Sequence, residues 1–152
     1  STSAAHSNQA AGAAAADGGT KAKKQASVAA EEESDMEFAD AIVSYNVLEF
    51  EIGRVQGAVK ALEAKGQLVP PAYGSRLQAL EFRKEMLTIQ VDCGALSMEG
   101  YLQSLREAIP KEKARSKALK EVPGAARKAL DAFKRAQMMA AEIDEVAKSQ
   151  GQ

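Results

Sequence analysis

Apolar residues recur every three or four positions in four stretches of this 152-residue chain. That spacing belongs to helices that each lay one face into a shared core. The first stripe runs Phe38, Ile42, Tyr45, Leu48, Ile52, Val55, Val59 and Leu62, with one slip between Tyr45 and Leu48. Two arrangements satisfy it. Either one long helix opens at the capping-box spacing Ser34-Asp35-Met36-Glu37, or 36–45 is a separate short turn and the stable helix is capped by Asn46. Gly66 is the expected stop. Pro70-Pro71 forbids helix before it and suits the first turn after it. The second stripe is Tyr73, Leu77, Leu80, Leu87 and Val91, and Phe82, Met86 and Ile89 widen it toward another neighbour. Gly94 ends that helix, and Ser97 caps a third bearing Tyr101, Leu102, Leu105 and Ile109. Pro110 is expected to kink or divide this third helix. After Pro123-Gly124 the last stripe reads Ala126, Leu130, Phe133, Ala140, Ile143 and Ala147. Connections of a few residues make sequential neighbours antiparallel. The expected fold is all-α, an antiparallel helical bundle of about four helices over 35–149.

Residues 1–34 are Ala, Gly, Ser, Gln and Asn, followed by Lys21, Lys23, Lys24 and Glu31-Glu32-Glu33. Such a segment has little apolar bulk to bury and reads as a disordered linker. The chain starts at Ser1 rather than Met, so it reads as a piece of a longer product with any targeting signal upstream.

Composition narrows the functional classes. The 20 basic residues nearly balance the 21 acidic ones, which argues against an obligate nucleic-acid or membrane binder. No apolar run approaches the roughly 20 residues that span a bilayer. Cys93 is the single cysteine, so a disulfide scaffold is excluded. It reads as a small apolar filler at a helix end, and Met86, Met138 and Met139 read as core filling. His6 is the single histidine, so neither a zinc cluster nor the Glu-x-x-His pairs of a di-iron bundle can be assembled. No glycine-rich phosphate loop follows a strand. The chain is therefore read as non-enzymatic and without a cofactor.

Charge placement is uneven. From Glu31 to Glu63 nine acids face two bases, a net of −7. From Lys111 to Arg135 nine bases face three acids, a net of +6. Two readings compete: the stretches neutralise each other within the bundle, or the basic one is a surface for an acidic protein or, more weakly, for anionic lipid. The candidate binding residues are Lys111, Lys113, Arg115, Lys117, Lys120, Arg127 and Lys128. Nucleic acid is not expected, because Phe133 alone is interleaved for base stacking.

The run Ser44-Tyr45-Asn46-Val47-Leu48-Glu49-Phe50 resembles the S-x-x-V-L-x-F opening of the helical region after the C2 domain in the coiled-coil and C2 domain-containing family, also called the lethal giant discs family. Val69-Pro70-Pro71-Ala72-Tyr73 is similar to that family's turn into a second helix. The resemblance continues at Gly94, at Tyr101 with Leu105, at Ala125-Ala126-Arg127-Lys128-Ala129-Leu130 and at Glu142-Ile143. It covers about residues 44–146, and Pro110 departs from the family pattern. The resemblance implies a C-terminal scaffold and protein-interaction module of a cytosolic regulator of endosomal, ESCRT-linked trafficking and signalling. It assigns no binding residue to this segment. The competing expectation is a coiled-coil subunit of a cytoskeletal, ciliary or axonemal assembly.

Overall fold

The computed structural model describes residues 33–151. Five helices appear among them and no strand: α1 Asp35–Ala41, α2 Tyr45–Ala64, α3 Pro71–Asp92, α4 Met98–Leu119 and α5 Ala126–Gln150. The expected linker over 1–34 lies outside the described residues apart from Glu33 and Ser34, and His6 lies outside them too. The all-α antiparallel bundle is the observed fold, with one helix more than the count of about four.

The extra helix comes from the slip in the first stripe. The second arrangement is the one adopted, but Ser44 rather than Asn46 caps α2, accepting the Val47 N–H at 3.0 Å. Ile42 is extended, and the carbonyl released by the break accepts from Arg83 Nε at 2.9 Å. The Ser34–Glu37 capping box does open a helix, the short α1. At the far end of α2, Gly66 adopts φ +70. The Gly66 N–H donates to the Glu63 carbonyl and the Gln67 N–H to that of Leu62. This left-handed close is open to glycine at little cost and satisfies two orphan carbonyls. Pro71 begins α3 and Ser97 caps α4, as the sequence indicates.

Pro110 does not divide α4, which runs unbroken through it. The carbonyl that loses its partner is that of Arg106, and both residues are exposed, so water can take the missing donor's place.

The chief packings are α4 on α5, α2 on α3, α1 on α3, and α2 on α5. The core gathers Phe38, Leu48, Leu80, Leu87, Leu105 and Met139, with a satellite of Leu119, Ala125 and Ala129 under the last turn. Small side chains Ala129, Ala132 and Ala136 bring α5 close to its neighbours, and Ser116 Oγ donates to the Ala129 carbonyl at 2.7 Å. The face of α5 differs from the expected one. Ala126, Leu130, Phe133, Ala140 and Ala147 are exposed, and Ile143 alone of that stripe is half-buried. The buried stripe is Ala129, Ala132, Arg135, Ala136, Met139 and Glu142. Met86 and Cys93 are also exposed rather than filling the core.

Two substitutions separate these faces. Leu105→Ala empties a fully buried position and should cost about 2–5 kcal/mol in urea unfolding. Leu130→Ala should change stability by no more than about 0.5 kcal/mol. The reverse order would mean that α5 is rotated from the described orientation.

Candidate functional site

The buried face of α5 carries two charged side chains, Arg135 and Glu142, each 5% exposed. They lie seven residues apart, two turns along one face. Glu142 Oε1 accepts from Ser44 Oγ at 2.6 Å, and Oε2 accepts from the Tyr101 hydroxyl. Tyr101 Oη in turn accepts the Tyr45 N–H at 2.8 Å. Two of the first amides of α2 are thus held by hydroxyls that both donate to one carboxyl. Burial, and then the Glu142 carboxyl, push the Tyr101 hydroxyl above its usual value of about 10.

Arg135 makes the equivalent link one level away. Its Nη1 donates to Glu51 at 3.3 Å and its Nε to Glu112 at 3.0 Å. Glu51, 2% exposed, also accepts two hydrogen bonds from Arg54, at 3.1 and 3.2 Å. Arg54 reaches Asp131 with its other nitrogen at 3.1 Å. Burial disfavours the Arg54 charge, but the Asp131 and Glu51 carboxylates outweigh it and hold its pKa above the usual value. Each rung therefore joins α2, α4 and α5.

Every hydroxyl and carboxylate in the Glu142 rung serves a cap or a helix contact. A groove of about 310 Å³ opens beside it between Leu87, Val91, Met98, Tyr101, Glu142 and Val146. Among the described residues, no group of three or more His, Cys, Asp or Glu could hold a metal ion, and no helix is long and apolar enough to cross a membrane.

The seven basic candidates divide into three sets. Lys113, Lys117 and Lys120, spaced i, i+4 and i+7, share an exposed face of α4. Lys111 and Arg115 turn toward α1, where they line a cleft of about 220 Å³ with Ile42, Val43 and Val47. Arg115 is half-buried there and pairs with Glu33 at 2.9 Å. Arg127 and Lys128 are exposed in the first turn of α5, where the helix dipole opposes cations. Neutralisation within the bundle is thus carried by arginines: Arg115 to Glu33, Arg135 to Glu51 and Arg54 to Asp131. The lysines of the basic stretch stand apart from these ion pairs.

Two exposed apolar stripes complete the surface. On α3, Phe82 (54% exposed), Met86 and Ile89 form a row at i, i+4 and i+7, with exposed Glu81, Glu85 and Asp92 in the adjoining row. On α5, Leu130 (64%) and Phe133 (43%) edge a groove of about 460 Å³ against Phe50 of α2. Arg54 lies 5.3 Å and Lys134 4.6 Å from the centre of the Phe50 ring, within cation–π reach. The α3 row was visible in the sequence as a widened stripe. The α5 row was hidden, because its large side chains pass for core. Protein-family models, curated proteins and solved structures were all compared with this chain, and none matches it.

Removing one member of the ionic rung should be costly. Arg135→Met leaves Glu51 and Glu112 short of a partner and should lose about 3–5 kcal/mol in denaturant unfolding. Adding Glu112→Leu should recover part of it, since Glu112 then lacks the hydrogen bond that Arg135 gave it, whereas Glu51 keeps Arg54, and a carboxylate left desolvated without its partner is the main penalty. Strict additivity of the two changes would show that the pair is uncoupled.

Tyr101→Phe at pH 8 removes a donor to Glu142 and the acceptor for Tyr45, which should cost about 1–3 kcal/mol. Above pH of about 10 the unfolded chain releases the Tyr101 proton while the native state keeps it. Wild-type stability then falls with rising pH, and the gap to Tyr101→Phe narrows. Urea unfolding from pH 8 to 11 checks this, and a constant gap would place the phenol outside the linkage.

Proposed function

We propose that this chain is a non-enzymatic protein-interaction and scaffold module. By the family resemblance above, it belongs to a C2-containing regulator of endosomal, ESCRT-linked trafficking and acts at the cytoplasmic face. The observation that carries the interaction reading is the row Phe82, Met86 and Ile89, three large apolar side chains left outside the core on one helix face. Contiguous apolar rows rimmed by charge are where proteins dock. The exposed cations of α4 and of the first turn of α5 add a second surface for acidic protein and, more weakly, for anionic membrane. The same rows favour a second reading, a subunit of a cytoskeletal or ciliary assembly, in which the stripes dock on a filament.

A photo-crosslinking residue at Phe82 or Phe133, in cells expressing the chain, should give discrete adducts with polypeptides. The same residue at exposed Gln103 should not. Adducts at all three positions alike, or at none, would overturn the interaction reading. Charge reversal at Lys113, Lys117 and Lys128 should alter stability by about 0.5 kcal/mol or less per site. It should also weaken binding to phosphatidylserine vesicles, which itself falls with salt as exposed charges are screened. A destabilised variant with unchanged vesicle binding would retire these lysines as a binding surface.

A further inference from the structure

The two exposed apolar stripes are complementary to each other. On α3 the row Phe82, Met86 and Ile89 advances by four and then three residues. On α5 the apolar pair Leu130 and Phe133, three residues apart, is continued four residues on by the polar Gln137. Each spans about 10 Å of helix at 1.5 Å per residue. Their flanks carry opposite charge. The row beside the α3 stripe holds Glu81, Glu85 and Asp92, all exposed and in none of the ion pairs among the described residues. The α5 groove is lined by Arg54, Arg127 and Lys134 against the single acid Asp131. One surface is a raised, acid-flanked ridge; the other is a cation-flanked groove with Phe50 on its wall. Within one chain the two do not meet: the groove is lined by residues of α2 and α5 alone, and Phe82, Met86 and Ile89 are exposed on α3.

We propose that the occupant of each surface is a second copy of this chain, joined head to tail, with the α3 ridge of one copy seated in the α2–α5 groove of the next. The proposal rests on the interaction reading above and names the partner for it. Burying Phe82, Met86 and Ile89 against Leu130, Phe133 and Phe50 supplies the apolar attraction. Glu81 and Glu85 against Arg127 and Lys134 fix its orientation and exclude ridge-to-ridge pairing, where like charges would meet. Because the two surfaces differ, the contact is heterologous: every open assembly, whatever its length, still presents one free ridge at one end and one free groove at the other. Growth is therefore open-ended unless the rotation closes a ring.

Sedimentation velocity on the full 152-residue chain tests this. The weight-average mass should rise with concentration above the 16.1 kDa of the monomer. The ridge variant Phe82→Asp with Met86→Asp, and the groove variant Leu130→Asp with Phe133→Asp, should each stay monomeric. Their one-to-one mixture should give a discrete heterodimer of twice the monomer mass and nothing larger, since each supplies one intact surface. A second pair leaves the apolar rows untouched in case the aspartates disturb folding, which circular dichroism reports. Glu81→Lys with Glu85→Lys should abolish association of that variant, and mixing it with Arg127→Glu and Lys134→Glu should restore it. A wild-type chain that stays monomeric, a single-surface variant that still self-associates, or mixtures that never pair would each overturn the proposal. A monomeric wild type whose Phe82 cross-linker labels a different polypeptide would sink self-association and spare the interaction reading. Absence of any adduct would sink both.

Discussion

Arg135 and Glu142 are the constraint on which the rest of this bundle depends. An α-helix that faces its neighbours with Ala129, Ala132 and Ala136 can approach closely, but a row of methyl groups looks much the same after a slip of one turn. The two charged rungs do not. Along α2 and its cap the partner groups Glu51 and Ser44 stand seven residues apart, matching the seven between Arg135 and Glu142 on α5, in the reverse order. Only the antiparallel register satisfies both at once. A slip by one turn would strand a guanidinium and a carboxyl in the interior, each with a desolvation cost of several kcal/mol. The ionic seam adds little net stability over an apolar equivalent, but it makes the wrong registers expensive.

The break between α1 and α2 follows from the same rungs. For Ser44 to donate to Glu142 it must sit at the mouth of α2, with its hydroxyl also taking the Val47 N–H. A continuous helix through Ile42 and Val43 would give that N–H a backbone partner and turn the serine away. The chain leaves helical geometry instead, and Arg83 compensates the Ile42 carbonyl. Freed from the axis of α2, α1 folds onto α3. There Phe38 lies beneath two guanidiniums, Arg76 at 3.8 Å and Arg135 at 5.3 Å from its ring centre. Arg135 therefore reaches all the way to α1. Helix order, helix breakage and inter-helix register share one set of polar contacts.

Local chemistry explains what the sequence made legible and what it hid. Boundaries set by Ser34, Gly66, Pro71, Gly94 and Ser97 could be read because caps and punctuation act within a few residues. The buried faces of α3 and α4 could be read from leucines. The face of α5 could not, because periodicity counts large apolar side chains. On α5 Leu130 and Phe133 point outward, while alanines, an arginine, a glutamate and Met139 face the core. The charge asymmetry was visible, but not its division into arginines that pair and lysines of the basic stretch that form no ion pair among the described residues, which depends on contacts such as Arg115 with Glu33 across 82 residues of sequence. Ser44, Tyr101 and Glu142 meet in one hydrogen-bonded cluster that no spacing rule could have assembled.

The inversion of α5 also connects the interior to the surface. With most of its core positions given to small and charged groups, α5 leaves Leu130 and Phe133 on the opposite face. Burying those would be favourable at roughly 25 cal/mol per Å², yet Leu130 and Phe133 stay in water while Arg135 and Glu142 do not. The arrangement makes sense if specificity and affinity are assigned to different faces. Polar rungs inside allow one register and need no more apolar area than the alanines and Met139 supply. The leucine and phenylalanine outside are then free to bury against a partner, as Phe82, Met86 and Ile89 are on α3. The same swap that concealed the core face of α5 from the periodicity is what leaves this small bundle with apolar surface to offer.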